Sequence, residues 1–320
     1  MFSRLKKLKA AGVVGINSRN LEYIAEHNPR KLYPLADNKI RTKLIAKEAG
    51  ISVPELYGVV SSVGEAKKLK EIIDNRKEFV IKPSQGCGGE GIVVVSNVRE
   101  NEIETVARET LSFSDLEHHV ANILHGLFSL GSRPDKAMIE YRVRFDPIFD
   151  DISSRGVPDI RIVSFLGVPV MAMLRLPTLE SGGKANLHQG AIGAGVDIAT
   201  GRTLSGVWYD SIVMHHPDSQ ANIAGRQIPH WNKLLELAAK SYQLTGLGYQ
   251  GVDIVLDEEL GPMLLELNTR PGLAVQIANQ AGLKKRLVKV EQNISNLNSV
   301  EEKVNFSISN FASSKELATS

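Results

Sequence analysis

Apolar and polar positions change period along this chain, and the changes mark out its elements. After Asp37, Ile40, Leu44 and Ile45 recur at helical spacing, and Gly50 stands where a helix cap is needed. Residues 53–60, entered through Pro54, read as a strand, and 65–75 as a second helix. Phe79-Val80-Ile81-Lys82 and Ile92-Val93-Val94-Val95 are two strands joined by a glycine-rich stretch. Residues 101–130 read as helical, with Val106, Leu111, Leu116, Val120, Ile123, Leu124 and Leu127 available for packing. From Lys136 onward strands dominate, over 137–144, 159–166 and 168–175. Residues 232–245 are an exception, a helix whose buried side carries Leu234, Leu235, Leu237, Ala238 and Tyr242. The lead before Asp37 holds a helix through 5–11, and beyond about residue 291 the chain is polar, with little periodicity and the character of a flexible tail.

The most informative segment is Gly251-Val252-Asp253-Ile254-Val255-Leu256-Asp257, followed after a turn by Pro262-Met263-Leu264-Leu265-Glu266-Leu267-Asn268. A turn centred between Glu259 and Leu260 places Asp253 opposite Glu266, and period-two alternation brings Asn268 to the same face. Like charges facing each other across two strands are destabilising. A bound cation removes that penalty, and two carboxylates with an amide oxygen form a hard site suited to Mg²⁺ carrying phosphates, with Mn²⁺ as a substitute. The plain alternative is a polar face turned to solvent.

Bulk properties narrow the function little. The 320 residues, 42% hydrophobic and 23% charged, suffice for one large domain or two to three lobes. A net charge of +2 gives no global argument for nucleic acid or for a membrane. The single cysteine, Cys87, excludes an intramolecular disulfide and fits a reducing cytoplasm. No apolar run reaches membrane-spanning length. Arg4, Lys6, Lys7 and Lys9 are not followed by the apolar stretch of a signal peptide; they line a solvated first helix or touch a membrane surface.

Gly86-Cys87-Gly88-Gly89-Glu90-Gly91 matches the literal spacing of a dinucleotide loop, but Ile92 and three valines follow where that site needs a helix. No Gly-Lys-Ser/Thr is present, and no His-Arg-Asp or Asp-Phe-Gly supports a kinase. A glycine loop between strands still lays backbone N–H groups on phosphates, and four glycines in six residues exceed what a turn requires. Lys82, ending the strand before the loop, and Lys39 are candidate phosphate contacts; an exposed helix position is the alternative for Lys39. Cys87, with no histidine near it in sequence, reads as incidental rather than nucleophilic.

These residues resemble the ATP-grasp superfamily, in particular the RimK-like α-L-glutamate ligases, and are also similar to sugar-transfer-associated ATP-grasp proteins. The matching stretches are Asp37-Asn38-Lys39, 49–54, Val80-Ile81-Lys82-Pro83 with its loop, Met138-Ile139-Glu140-Tyr141 and Asp159-Ile160-Arg161. They continue through 172–175, Asn186-Leu187-His188-Gln189-Gly190, 251–253 and 265–272. The resemblance implies an α+β fold, two lobes clasping a nucleotide: a short lead over 1–36, one lobe over 37–136, a second over 137–290, and a tail over 291–320. It implies ATP contacts from Lys39, Lys82, Gly86, Gly88 and Gly89, adenine contacts from Glu140 and Tyr141, and nucleotide contacts from Asp159, Lys184 and Asn186. Asp253, Glu266 and Asn268 fall on the family's Mg²⁺ ligands.

The chemistry so implied is a cytoplasmic ligase. A carboxylate attacks the γ-phosphate of ATP, and an amine captures the acyl phosphate as an amide. Arg161, Arg175 and Arg270 are candidates to hold the substrate carboxylate or the acyl phosphate, with structural ion pairs as the alternative. His188 either assists the amine or supports a neighbour through a hydrogen bond. The acceptor implied is a small amino acid or peptide-like amine, a protein terminus included; glutamate is a family-level inference, and a homo-oligomer stays open. The lead is shorter than the N-terminal lobe of the ribosomal-protein ligases, and an insertion over 145–158 with Asp146, Asp150 and Asp151 precedes Asp159, so both leave the acceptor open. A phosphotransferase and a non-catalytic nucleotide-binding module are the other readings.

Overall fold

The computed structural model describes residues 2–86, 88–99, 102–129, 131–153 and 156–313. Two units divide the chain: Asn38–Lys47 with Val53–Val143, and Met1–Asp37 with Glu48–Ser52 and Arg144–Ser320.

The smaller unit is built on six antiparallel strands: β1 (Leu56–Val60), β2 (Phe79–Pro83), β3 (Val93–Arg99), β4 (Glu102–Thr105), β5 (Thr110–Leu111) and β6 (Ala137–Glu140), in the order β1-β6-β2-β3-β4-β5. The helix Phe113–Leu124 buries Leu116, Val120, Ile123 and Leu124, a stripe of helical period that packs with Phe79, Ile81, Val95 and Ile139 into one core. Ser112 and Asp115 close its first turn as a capping box. This corrects the helix expected over 101–130. Residues 102–105 bury alternate positions, Ile103 and Thr105, and pair with β3. The helix expected over 65–75 is two short pieces, Val63–Ala66 and Leu69–Ile73, and the strand expected from 53 begins at Leu56.

The larger unit holds seven antiparallel strands: β7 (Asp159–Phe165), β8 (Val168–Leu176), β9 (Ile192–Val196), β10 (Thr203–Trp208), β11 (Ser211–Val213), β12 (Tyr249–Asp257) and β13 (Gly261–Asn268). Their order is β11-β10-β9-β8-β7-β12-β13, so β12 lies beside β7, far from it in sequence. The helix Trp231–Thr245 covers β7 and β8 and ends at Gly246, whose φ of +68° makes the left-handed cap.

Two expectations change in this unit. The lead is not separate: Asn28 Oδ1 accepts from Tyr249 N at 2.8 Å while its Nδ2 donates to Tyr249 O at 2.6 Å, and Tyr23 packs against Phe165 and Tyr249. Nor is the chain beyond 291 without structure, because Val300–Asn310 is a helix opened by a Ser299/Glu302 capping box. It contacts the Trp231–Thr245 helix and β8, and Ser307 Oγ donates to Pro169 O. Residues 314–320 lie outside the described residues. Among the described residues no helix is long and apolar enough to cross a membrane.

Candidate functional site

In the smaller unit three lysines and one glutamate gather beside the glycine loop. Lys39 opens the helix Lys39–Glu48, and Lys43 lies one turn further on the same face. Glu140, at the end of β6, is 2% exposed; it accepts an ion pair from Lys82 Nζ at Oε1 and from Lys43 Nζ at Oε2, the latter at 2.9 Å. Lys43 Nζ also donates to Pro54 O at 2.6 Å. Burial pulls Lys43 down to about 8 against the pull of Glu140. Burial likewise opposes charge on Glu140, and the two lysines more than offset it, leaving its carboxyl below the ordinary range. The Glu140 side chain expected on adenine is therefore a counter-ion for the lysines. Sequence reasoning missed Lys43; its helical spacing from Lys39 was the available signal.

The loop between β2 and β3 is a strand-to-strand connection, as the run of valines after it requires. Lys39 Nζ donates to Gly86 O at 2.8 Å. Asp135 anchors the loop's entry, accepting from Ser84 Oγ at 2.5 Å, Gln85 N at 2.9 Å and Ser129 Oγ at 2.7 Å. Gly88, Gly89 and Gly91 have φ of +67°, +77° and +70°. A Cβ on Gly91 would lie 2.5 Å from the Phe128 ring, and Gly91 O bonds His119 Nε2 at 2.9 Å. Gly91→Ala should therefore destabilise the smaller unit by about 2–3 kcal/mol, read as a lower urea midpoint with an unchanged slope. Cys87 lies outside the described residues.

In the larger unit the hairpin carries its charges as expected. Asp253 faces Glu266 and Gly251 faces Asn268. The register arrives by another route: Asp257 pairs with Gly261, one residue off the expected turn, and a bulge between Asp253 and Ile254 restores the pairing at the site. Asn268 Nδ2 donates to Asp253 Oδ2 at 3.1 Å and to Glu266 Oε1 at 3.3 Å, so the three side chains converge.

The neighbouring strands change the electrostatics. On β7, Arg161 stands directly opposite Asp253 and Asp159 directly opposite Arg175 of β8. Arg161 Nε donates to Asp253 Oδ1 at 2.7 Å and its Nη2 to Oδ2 at 2.5 Å; Arg175 Nη2 adds a bond to Oδ2 at 2.7 Å and a two-pronged pair with Asp159. Asp253 is 0% exposed. Burial opposes its charge, but Arg161 and Arg175 outweigh burial and hold it below the carboxylate range. Asp159 has one guanidinium of its own and faces the Asp253 charge, so burial and that repulsion push it up to about 6. The penalty of facing carboxylates is thus met by guanidiniums, and a cation is not needed merely to relieve it. Arg161 and Arg175, expected on substrate, are committed to Asp253 and Asp159.

The other expected residues are dispersed. Arg270 is exposed, its guanidinium 5.5 Å from the Tyr33 ring, and does not join the cluster. Asn186 Oδ1 accepts from His188 N at 3.1 Å and caps the turn Leu187–Gln189; Lys184 N bonds Ser181 O in the preceding loop. Tyr141 N donates to Glu55 O at 2.8 Å, tying the segment after β6 to the approach to β1.

The donor set fits a divalent ion that shares its shell with phosphate better than one caged by protein. Among the described residues no group of three or more His, Cys, Asp or Glu has metal-site geometry. What converges is two carboxylates and one amide, whose oxygen reaches the carboxylates' side when the amide turns over. Three carboxylates, Asp159, Asp253 and Glu266, gather in the ladder, with the guanidiniums of Arg161 and Arg175 paired to Asp253 and Asp159. Mg²⁺ keeps few protein ligands and takes phosphate oxygens for the rest.

No curated protein matches the chain. Solved structures similar to it include the ATP-grasp ligase PsnB complexed with a minimal precursor, at 12% identity and a TM-score of 0.44, covering 84% of this chain and 63% of that one. Another is D-cycloserine synthetase DcsG, at 15% identity and a TM-score of 0.45, covering 84% and 73%. The chain thus spans less than two thirds of PsnB's length. The family described as sugar-transfer associated ATP-grasp matches residues 18–292, from the lead past the last of the charged hairpin. A match over that much of its length makes this chain a member of the sugar-transfer associated ATP-grasp family, with an α+β ATP-grasp fold.

Proposed function

We propose that this protein is an ATP- and Mg²⁺-dependent ligase that joins a carboxylate to an amine through an acyl phosphate. The observation that carries the reading is the meeting of Asp253, Glu266 and Asn268 on one face of β12 and β13. The lysine set of the smaller unit supports the same reading: Lys39 and Lys82 lie beside a loop whose Gly86, Gly88 and Gly89 would offer backbone N–H groups to phosphate. Tyr141 and the Glu140 backbone are assigned to adenine, and Lys184, Asn186 and Asp159 to the nucleotide. Asp253, Glu266 and Asn268 would hold Mg²⁺, which supplies charge neutralisation at the phosphates.

A substrate carboxylate oxygen bonds the γ-phosphorus, and the β–γ bridging bond breaks, its electron pair leaving on ADP. The amine nitrogen then bonds the acyl carbon, phosphate leaves with the C–O electron pair, and the amine sheds its proton to a base. Arg161 and Arg175 position Asp253 and Asp159, while exposed Arg270 takes the substrate carboxylate.

The test is incubation with ATP, Mg²⁺ and pooled amino acids, peptides and amino sugars, with ADP measured and products weighed by mass spectrometry. The family's association with sugar transfer puts amino sugars in the pool, and the glutamate-ligase resemblance puts glutamate there. ADP release that needs an amine, with a product heavier by one condensed residue, is the expected result. Release without any amine would make the protein a phosphotransferase, and no release with any pool would leave a nucleotide-binding module.

A further inference from the structure

The first helix, Phe2–Ala10, carries charge and apolar surface that the nucleotide chemistry does not use. Every described side chain on it, from Lys6 to Ala10, is exposed, and so is Ala11. A nine-residue helix has little stability of its own in water. Its far end is firmly seated: Gly12 O accepts from Lys284 N at 2.9 Å, and Gly282 packs so closely on Gly12 that a Cβ there would lie 2.2 Å from its carbonyl carbon. Val14 then exchanges two hydrogen bonds with Gln276, at 2.9 and 3.0 Å. The helix is therefore held in a set position by the larger unit, with its described side chains, Lys6 to Ala10, exposed.

The charge on the described helix is positive: no Asp or Glu precedes Glu22, while Lys6, Lys7, Lys9 and Arg19 do. The seat adds Lys285, whose stem lies within 4 Å of Gly12's missing Cβ, and Lys284, which pairs with Glu22 at 3.4 Å. Among these cations stand large apolar side chains turned to solvent: Leu8 is 51% exposed, Ile16 63% and Leu21 73%. Nucleic acid would engage the lysines and leave these apolar groups in water. A surface of anionic headgroups over acyl chains takes both, lysines at the phosphates and apolar side chains below them.

We propose that this face docks the protein on an anionic membrane surface, with Lys6, Lys7 and Lys9 at the headgroups and Leu8 entering the acyl boundary. The docking is peripheral and reversible, since it rests on a few cations and few inserted apolar groups. It is independent of the ligase reading, because none of these residues belongs to the nucleotide or metal sets.

Flotation of the full chain with phosphatidylcholine vesicles, with and without phosphatidylglycerol, tests it. The chain should float only with the anionic vesicles and be released by high salt. At roughly fivefold per cation near the surface, K6Q/K7Q/K9Q, which keeps helix-forming residues, should weaken binding by about a hundredfold, and K6E/K7E/K9E, which reverses the charges, by more. Leu8→Ser should weaken it severalfold while the salt dependence stays. Failure to float with anionic vesicles, equal flotation with neutral ones, or indifference to the triple substitutions would each overturn the proposal. Retention on duplex DNA without flotation would overturn it in favour of nucleic acid.

Discussion

Glu140→Leu should cost the smaller unit about 3–5 kcal/mol, more than the other substitutions in that lobe, because it strands two buried ammonium groups at once. Lys43 and Lys82 both lean on this one carboxylate, and neither head group reaches bulk water. The cost is capped by Lys43, which already titrates near about 8 and can shed its proton when its partner is gone. The sign follows from that. Removing Glu140 lowers the folded-state value of Lys43 further below its unfolded value, so the variant gains stability relative to the parent as pH rises toward about 8. Urea midpoints at pH 6 and pH 9 should show a wide deficit closing to a narrower one. Lys43→Met added to Glu140→Leu should recover part of the loss at pH 6. A midpoint unmoved by Glu140→Leu would mean the lysines have another counter-ion.

That buried trio shows where sequence patterns stop. Lys39 and Lys82 could be singled out as candidates for phosphate because each flanks a recognisable punctuation, a helix start and a glycine loop. Lys43 was not singled out: its spacing from Lys39 puts it on the same helix face, but only the arrival of β6 beside β2 brings Glu140 to it. The charged ladder of the larger unit divides the same way. Asp253, Glu266 and Asn268 could be placed together from alternation on one hairpin, a local relation of period two. Arg161 and Arg175 could not be assigned to Asp253, because β7 and β12 are joined only in the folded sheet, some ninety positions apart along the chain. The strand at 102–105 was hidden by its glutamates, which favour helix, until pairing with β3 overrode propensity. The helix over Val300–Asn310 was announced by Ser299 and Glu302, a capping box that the surrounding Asn and Ser obscured.

Glu266→Gln should remove ATP turnover, by roughly a thousandfold, while leaving the fold nearly as stable as before. The two halves of that expectation come from one observation. Glu266 faces Asp253 across the hairpin, while the pairs made by Arg161 and Arg175 go to Asp253 and Asp159. Its conversion to an amide keeps the shape and keeps an oxygen for Asn268 Nδ2. What is lost is affinity for a divalent ion, so the defect should appear as a loss of Mg²⁺ dependence and turnover together. Asp253→Asn provides the contrast. It sits under two guanidiniums and is wholly buried, so the amide would turn N–H groups toward Arg161 or Arg175 and leave charge unpaired, costing about 3–5 kcal/mol of stability. Two neighbouring carboxylates on facing strands should thus fail differently, one in chemistry and the other in folding. Thermal unfolding and ADP release measured on both variants separate them. Turnover retained in Glu266→Gln would remove the metal assignment, and unfolding as severe as that of Asp253→Asn would make Glu266 a structural member of the ladder.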